Sequence, residues 1–287
     1  MDKFGDINSF NKNWKNREEA NYSHWTRNKP INQIQLAFRE HWKLFKKIII
    51  DNSKNLKIKK TEKKILEVGC GRGTLSAYFS DNGYKNVYLL DKSKKVIQLA
   101  KNFFLKNKLK GKFIISDCIE MPFKENYFDL VFSIGLFEHF TNPKLAIKEQ
   151  IRVLKKKGII ILYIVPQKKN KIQDKYGWIN NLLTHYNKKK NNNSINKEKV
   201  FRSNFGIEYY KKILKTFDLK KIEAHGIYPV PMISHSIDFP FSLMPIKSEK
   251  NFLKVIHTFL KKNNHKYSNW LCKEDEGQAI ILWGIKK

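Results

Sequence analysis

The segment Lys64–Leu75 combines the residue types that a ligand-binding loop needs. An apolar strand pattern runs into a carboxylate and then into three glycines at alternate positions, Gly69, Gly71 and Gly73. Because glycine has no Cβ, the backbone can turn sharply there and a ligand can lie against it. A helix predicted to begin near Leu75 would direct its free N–H groups towards the same loop. The pattern therefore predicts a nucleotide site between a strand and a helix.

Two kinds of nucleotide bind to glycine-rich loops of this type. The dinucleotide fingerprint is G-x-G-x-x-G with an acidic residue about 20 positions further on. Here the third glycine, Gly73, comes one residue early, and Thr74 stands where that fingerprint has glycine. Glu67, at the end of the strand, would repel a pyrophosphate but suits a ligand with a cationic end. S-adenosylmethionine carries an ammonium and a sulfonium group and no phosphate, so it fits this loop better.

Four further segments follow in a recognisable order. Two predicted strands end in acids, Asp91 and Asp117, and the segments Tyr127–Phe140 and Arg152–Gly158 read as a strand with its loop and as a helix with its turn. Together with Glu67-x-Gly69-x-Gly71-x-Gly73, they resemble the motifs of class I S-adenosylmethionine-dependent methyltransferases, in particular the small-molecule type related to quinone methyltransferases. The resemblance is strong over residues 60–166 and loose over 205–287. One departure is Lys-Lys-Gly in the last turn, where the family usually has Pro-Gly-Gly.

The resemblance implies cofactor contacts at the strand ends. Glu67 would bind the ammonium group, or alternatively orient the N–H groups of the loop. Asp91 would accept both ribose hydroxyls, because a carboxylate can accept two O–H donors, or alternatively cap the next helix. Asp117 would accept a hydrogen bond from the adenine amino group, or serve as a turn residue. The full predicted cofactor-binding set is Glu67, Gly69, Cys70, Gly71, Gly73, Asp91, Lys92, Asp117, Cys118, Ile119, Ser133 and Ile134. No metal site is predicted.

Catalysis of methyl transfer depends mainly on positioning the acceptor, and a base is needed only when the acceptor must lose a proton. His139 is the best placed candidate base, with Glu138 beside it, and its alternative role is structural. Phe137-Glu138-His139 also resembles the corresponding loop of cyclopropane fatty-acid synthases. Trp25 and His235 are candidate substrate-binding residues. His24 and Arg27 would close over the cofactor with Trp25, although packing or surface roles are the alternative for all of these.

Hydrophobic periodicity predicts the elements that must position these residues. Strands are expected at 64–68, 86–90, 112–116, 128–134, 158–165, 219–227 and 278–285. Helices are expected at 31–50, 74–81, 93–107, 143–155 and 206–216, with others around 178–186 and 252–262. Alternating strands and helices indicate an α/β fold with a doubly wound sheet. With the resemblance, the prediction is a seven-stranded, mostly parallel Rossmann-like sheet whose last strand is antiparallel, an N-terminal helix and C-terminal lid insertions.

The predicted domain organisation has two parts. Residues 1–58 form an N-terminal helical cap, and residues 59–287 form the cofactor-binding domain. Insertions at 167–204 and 228–275 form a substrate lid. Within them, the Lys/Asn-rich run 187–199 reads as a loosely ordered loop, and 239–246 is an apolar patch.

Composition narrows the class of partner. The formal net charge is +31, which suggests either attraction to nucleic acid or anionic membrane, or a codon bias that over-supplies Lys, Asn and Ile. We favour the bias, because few of the 57 basic residues are arginines, which phosphate-clamping surfaces prefer. Three widely spaced cysteines form neither a disulfide framework nor a zinc pattern. With no apolar run resembling a signal peptide or membrane span, a cytoplasmic protein is expected.

The leading functional prediction is methyl transfer from S-adenosylmethionine to a small-molecule acceptor such as a metabolite, a glycan sugar or a quinone- or lipid-like molecule. Peripheral membrane contact is compatible with that prediction. The alternatives are an RNA methyltransferase that uses the basic surface, and a family member that uses the cofactor for other chemistry. The sequence names neither the acceptor atom nor the oligomeric state.

Overall fold

The computed structural model describes residues 24–52, 59–190, 200–234, 244–262 and 268–287. His235, most of the 239–246 apolar patch and residues 191–199 of the Lys/Asn-rich run lie outside the described residues, as do residues 1–23 of the predicted cap.

Within the described ranges, eight strands form one sheet in the order β3-β2-β1-β4-β5-β8-β6-β7. Neighbours among β1 to β5 run parallel, whereas β8 is antiparallel to both β5 and β6, and β7 is antiparallel to β6. This confirms the predicted doubly wound fold, and a two-residue strand extends the sheet beyond the expected seven. The strands are β1 (Lys64–Val68), β2 (Asn86–Asp91), β3 (Lys112–Ile115), β4 (Phe128–Ile134), β5 (Leu154–Ile164), β6 (Leu219–Ile227), β7 (Leu271–Cys272) and β8 (Ala279–Lys286).

Seven α-helices accompany the sheet in the described part of the chain. They are α1 (Gln33–Asn52), α2 (Thr74–Asp81), α3 (Lys94–Lys106), α4 (Lys144–Val153), α5 (Lys171–Lys190), α6 (Ile207–Lys215) and α7 (Ile246–Lys262). A 3₁₀ turn, Phe137–His139, follows β4. Among these helices, none combines the length and apolar character that crossing a membrane requires.

The two faces of the sheet bury separate apolar clusters, because successive side chains of a strand point to opposite sides. In β5, Ile161 and Tyr163 belong to the cluster covered by α1, α2, α3 and α7. Ile160, Leu162 and Ile164 belong to the cluster covered by α4 and α6. The side chains of β5 are therefore buried on both faces of the sheet, as the apolar run of this strand predicted.

The largest differences in extent from the prediction are in β5, α5 and α7, and α7 begins at Ile246 and not near residue 252. Helix α4 ends at Val153 and β5 begins at the next residue, so the predicted turn before residue 158 is an irregular start of the strand with a positive φ at Lys157. Helix α5 is 20 residues long, whereas a short helix was expected near residue 180. Trp178 and Leu182 of α5 are more than half exposed, so burial of these side chains does not define the helix.

A chain segment that follows β6 is held against α1 and α5 by amide side chains. Gln33 is buried in α1; its Oε1 accepts hydrogen bonds from Ile233 N and Ser234 N, both 3.2 Å, and its Nε2 donates to Pro231 O. From α5, Asn180 Nδ2 donates to Met232 O at 3.0 Å. The segment 228–234 therefore lies in a fixed position beside the carboxyl end of the sheet.

Candidate functional site

The strand order reverses between β1 and β4, and ligands of open α/β sheets bind at such a switch point, outside the carboxyl ends of the strands. The parallel register places the ends of β1, β2 and β4 at one edge, because Val68 pairs with Leu90 and Glu67 with Phe132. Asp91 in turn pairs with Ile115 at the end of β3. The three predicted acids, Glu67, Asp91 and Asp117, therefore lie at or next to the carboxyl ends of neighbouring strands.

The glycine loop turns through left-handed backbone at Gly69, Gly71 and Gly73, whose φ angles are 67°, 51° and 68°. The loop also runs very close to side chains of the core. A Cβ added at Gly73 would lie 2.3 Å from Leu89 Cδ2, and one at Gly69 would lie 2.8 Å from Leu136 Cδ1. At these two positions, glycine is required by packing beneath the loop as well as by backbone conformation.

Glu67 is buried at the end of β1, with 3% of its surface exposed. Its Oε2 accepts a hydrogen bond from Ser76 N in the first turn of α2, at 3.2 Å. Burial raises the pKa of Glu67 to about 8, because the charged form loses its hydration. A cationic group beside this carboxyl would favour the ionised form. Glu67 can therefore bind an ammonium group while its carboxyl also accepts a hydrogen bond from the start of α2. The two roles considered from the sequence are thus compatible.

Asp91 connects the glycine loop to the start of α3. Its Oδ2 accepts from Gly71 N at 3.2 Å, and its Oδ1 accepts from Ser93 N at 3.0 Å. Burial raises its pKa, and these two N–H donors partly offset that rise. Each carboxylate oxygen has a second lone pair, so two hydroxyl donors can still be accepted. Ser93, rather than Asp91, caps α3 through Ser93 Oγ and Val96 N.

Asp117 follows β3 and is held by two donors. Lys92 Nζ lies 2.7 Å from its Oδ2, and Ile119 N donates to its Oδ1 at 3.2 Å. Burial alone would raise the pKa of Asp117, but the hydrogen bonds from Lys92 and Ile119 lower it overall. Cys118 is buried, with its pKa raised to about 12 mainly by burial, whereas Ile119 is about half exposed. Lys92 therefore contributes to the site by its ion pair with Asp117.

At the end of β4, Ser133 and Ile134 point to opposite faces of the sheet. Ile134 packs against the cluster under α1, while Ser133 is fully buried and its Oγ hydrogen-bonds to no described residue. Gly135 then turns with a φ of 67° and donates its N–H to Tyr163 O of β5 at 2.9 Å. The ends of β4 and β5 are therefore joined by this hydrogen bond at the carboxyl edge of the sheet.

Glu138 and His139 lie in the 3₁₀ turn above this junction. The Glu138 side chain is 2% exposed, its Oε2 hydrogen-bonds to no described residue, and burial raises its pKa to about 7. A Cβ added at Gly135 would lie 3.3 Å from Glu138 Oε1, so the carboxyl lies over the end of β4. His139 Nδ1 donates a hydrogen bond to Phe201 O at 2.7 Å, and His139 Nε2 lies 3.9 Å from Glu138 Oε1. Glu138 is thus the buried acid nearest the strand ends in this turn.

The predicted N-terminal residues divide into two groups. His24 Nδ1 lies 3.1 Å from Arg72 Nη1 in the glycine loop. Trp25 packs edge-on against Tyr78 of α2 and Phe103 of α3, and Arg27 pairs with Asp81 at 2.7 Å. The structure therefore places His24 next to the loop and gives Trp25 and Arg27 contacts with the flanking helices. Substrate binding by Trp25 stays a prediction.

Sequence reasoning missed a cluster of rings beside the β4–β5 junction. His41 of α1 lies with its ring centroid 4.8 Å from that of Tyr163 and 5.7 Å from that of Trp270. Tyr228 stacks on Trp270 at 4.8 Å. The available signal was a histidine on the apolar face of α1, three residues after Phe38.

The chain was also compared with known proteins. Residues 66–162 match the family model of a methyltransferase domain. An uncharacterized protein of Methanocaldococcus jannaschii is 27% identical over 81% of this chain and 84% of its own length. The ubiquinone biosynthesis O-methyltransferase of Pelagibacter ubique is 35% identical over 38% of this chain, which spans 47% of that relative.

A solved structure from Thermotoga maritima, described as an S-adenosylmethionine-dependent methyltransferase and possible histamine N-methyltransferase, has the same fold. Its TM-score is 0.50 at 15% identity, covering 88% of this chain and 92% of the other. Residues 66–162 therefore form a methyltransferase domain, and the chain shares the fold of that solved structure.

Proposed function

We propose that the protein transfers a methyl group from S-adenosylmethionine to a small-molecule acceptor held between α1, the β4–β5 junction and segment 228–234. The observation that carries this proposal is the convergence of Glu67, Asp91 and Asp117 with the glycine loop at neighbouring strand ends. The sulfonium would supply the activated methyl carbon. The protein would bind the cofactor, orient the acceptor in line and exclude water.

The cofactor assignments are part of the proposal. Glu67 would hold the ammonium group and Asp91 the ribose hydroxyls. Asp117, with the backbone of Cys118 and Ile119, would hold the adenine, while Lys92 keeps Asp117 ionised. The other proposed contacts are Gly69, Cys70, Gly71, Gly73, Ser133 and Ile134.

A small acceptor is favoured by the enclosure of the strand ends. Helix α1 from the predicted cap, α5 from the 167–204 insertion and segment 228–234 are tied together by Gln33, Gln173 and Asn180. We accordingly retain the division into a cap at 1–58 and a cofactor domain at 59–287 with lid insertions at 167–204 and 228–275. A polynucleotide would require an open face at this position.

RNA is the second candidate acceptor, and the net charge of +31 favours it. A contact made mainly through lysine weakens steeply as salt rises. The peripheral-membrane alternative rests on the same charge and on the 239–246 patch.

The test is product formation with each class of acceptor. Purified protein is incubated with S-adenosylmethionine and either a small-molecule extract or total RNA at physiological salt, and S-adenosylhomocysteine is measured. We expect S-adenosylhomocysteine to form with the small-molecule extract and not with RNA. We also expect calorimetry to show binding of S-adenosylmethionine but not of NADH. RNA-dependent product that persists at high salt would overturn the small-molecule assignment. If S-adenosylmethionine binds but neither the extract nor the RNA gives S-adenosylhomocysteine, the protein uses the cofactor for other chemistry.

Glu138 is expected to act as the base when the acceptor must lose a proton. Because its pKa is raised to about 7, turnover at saturating cofactor should increase as pH rises through about 7 and level off above it, where the carboxylate is ionised. Glu138→Gln should abolish this increase and lower kcat roughly 10²- to 10⁴-fold. The measurement is kcat against pH for both proteins.

His139→Gln serves as the matched comparison, because His139 lies in the same turn and already hydrogen-bonds to Phe201 O. A larger loss in this variant would make His139 the base instead. A structural Glu138 has a different signature. Its folded-state pKa of about 7 exceeds the ordinary value of 4.5, so the native protein loses stability as pH rises from about 4.5 to about 7. Glu138→Gln would then gain stability relative to the native protein over that range, keep the gain above pH 7 and lose no turnover.

A cytoplasmic location is also part of the proposal. Cys70, Cys118 and Cys272 are all unbridged and buried, as is usual for proteins of a reducing compartment.

A further inference from the structure

The ring cluster beside the β4–β5 junction contains one nitrogen with a defined protonation state. Trp270 Nε1 lies 2.8 Å from His41 Nδ1, and both side chains are buried. An indole N–H donates and cannot accept, so His41 Nδ1 must be the acceptor and must carry no proton. The proton of the neutral imidazole is therefore on Nε2.

Protonation of His41 would set an N–H on Nδ1 against the indole N–H. The same ring is surrounded by Tyr163, Tyr228, Trp270 and Phe38, which offer no opposite charge. Burial lowers the pKa of His41 to about 3. Burial raises the pKa of the Tyr163 hydroxyl, and the nearby Glu138 carboxyl and Cys272 thiol raise it further. His41 thus stays neutral throughout the physiological range.

His41 Nε2 hydrogen-bonds to no residue of the described ranges. His41 is 4% exposed and its Nε2 is not one of the fully buried unpaired atoms, so this N–H is open to an oxygen acceptor supplied by a ligand. The ring lies next to the place where methyl transfer is proposed, because Tyr163 pairs with Ile134 and its carbonyl accepts the Gly135 N–H. The surrounding aromatic faces and edges favour a flat ligand.

We propose that the Trp270–His41 pair presents a fixed, neutral N–H donor that orients a planar acceptor through one of its oxygen atoms, as in a phenol or quinol. This inference rests on the proposed function and names its acceptor class. His41 is a positioning residue in this scheme, since an Nε2 that carries its proton cannot remove one from the acceptor.

The tautomer is tested on the unmodified full-length chain. Nitrogen-15 NMR of the histidines, with His41 assigned by comparison with His41→Phe, should show a protonated Nε2 and an unprotonated Nδ1 from pH 5 to 8. Titration of His41 in this range, or a protonated Nδ1, would overturn the proposal.

Ligand selection is tested with 2-naphthol and naphthalene, a pair of flat probes that differ by one oxygen, in the presence of S-adenosylhomocysteine. His41→Phe should weaken 2-naphthol binding about five- to tenfold, as expected for one hydrogen bond, and should change naphthalene binding less than about twofold. Trp270→Phe, which releases the tautomer, should give a smaller loss for 2-naphthol alone. Equal losses for both probes would show packing only and overturn the proposal.

Cofactor affinity separates this inference from the proposed function. S-adenosylmethionine binding should be the same in the native protein and in both variants, since neither residue belongs to the proposed cofactor set. If the native protein binds no cofactor, the proposed function fails. If the native protein binds cofactor but His41→Phe affects 2-naphthol and naphthalene equally, only the inferred acceptor class is wrong.

Discussion

Replacing Gly73 by alanine is expected to lower the free energy of unfolding by about 2–5 kcal/mol. Two costs add: left-handed backbone at a residue with a Cβ costs about 1–2 kcal/mol, and overpacking a core typically costs about 1–3 kcal/mol. The structure supplies both causes, since φ is 68° and the added Cβ would lie 2.3 Å from Leu89 Cδ2 and 3.0 Å from Phe104 Cε2. Urea unfolding followed by circular dichroism measures the loss.

Gly83→Ala provides the matched control. Gly83 also has a positive φ, 88°, but an added Cβ would meet no atom within 4 Å. Only the backbone cost should remain, about 1–2 kcal/mol. If the two variants unfold at the same urea concentration, the core beneath Gly73 yields freely and the packing argument is wrong.

This comparison also shows what the sequence could not reveal about the loop. The glycine spacing correctly predicted a turn with room for a ligand above it. The contact of Gly73 with Leu89 and Phe104, which lie 16 and 31 positions later in the sequence, depends on how α3 and β2 pack. Local sequence carries no signal for that distance.

Strands were the most predictable elements. The bounds predicted for β1, β4 and β6 agree with those of the structure, because each is an apolar or alternating run between clear breaks. Helix α5 was the least predictable. Its apolar residues Trp178 and Leu182 are mostly exposed, and the apolar residues at helical spacing, Ile172, Tyr176, Ile179 and Leu183, are only partly buried, so the helical period marks a face that is incompletely covered.

The candidate site also contains residues that the sequence identified and residues that it did not. Glu67, Asp91 and Asp117 were identified because each directly follows or ends a strand, and parallel strands bring such residues to one edge. The pairing of His41 with Trp270 joins residues 229 positions apart. The N-terminal helix and the segment before β7 meet only through tertiary packing, so neither residue alone indicated a role at the site.

Asp91→Ala is expected to weaken S-adenosylmethionine binding by about 2–4 kcal/mol, because two charge-assisted hydrogen bonds to the ribose hydroxyls would be lost. The structure adds a complication, since the same carboxylate holds Gly71 N and Ser93 N. Calorimetry would therefore show a loss even if Asp91 only shaped the loop. Asp81→Ala, which removes an acid paired with Arg27 at the end of α2, should leave affinity unchanged.

Comparing S-adenosylhomocysteine with its 2′-deoxy analogue separates the two roles of Asp91. In the native protein, the missing hydroxyl should cost about 1.5–3 kcal/mol, the usual range for a hydrogen bond to a charged group. In Asp91→Ala, the two ligands should bind with nearly equal affinity, because the group that distinguishes them is gone. If the variant loses affinity for both ligands equally and still prefers the ribose form, Asp91 supports the loop and another residue binds the hydroxyls.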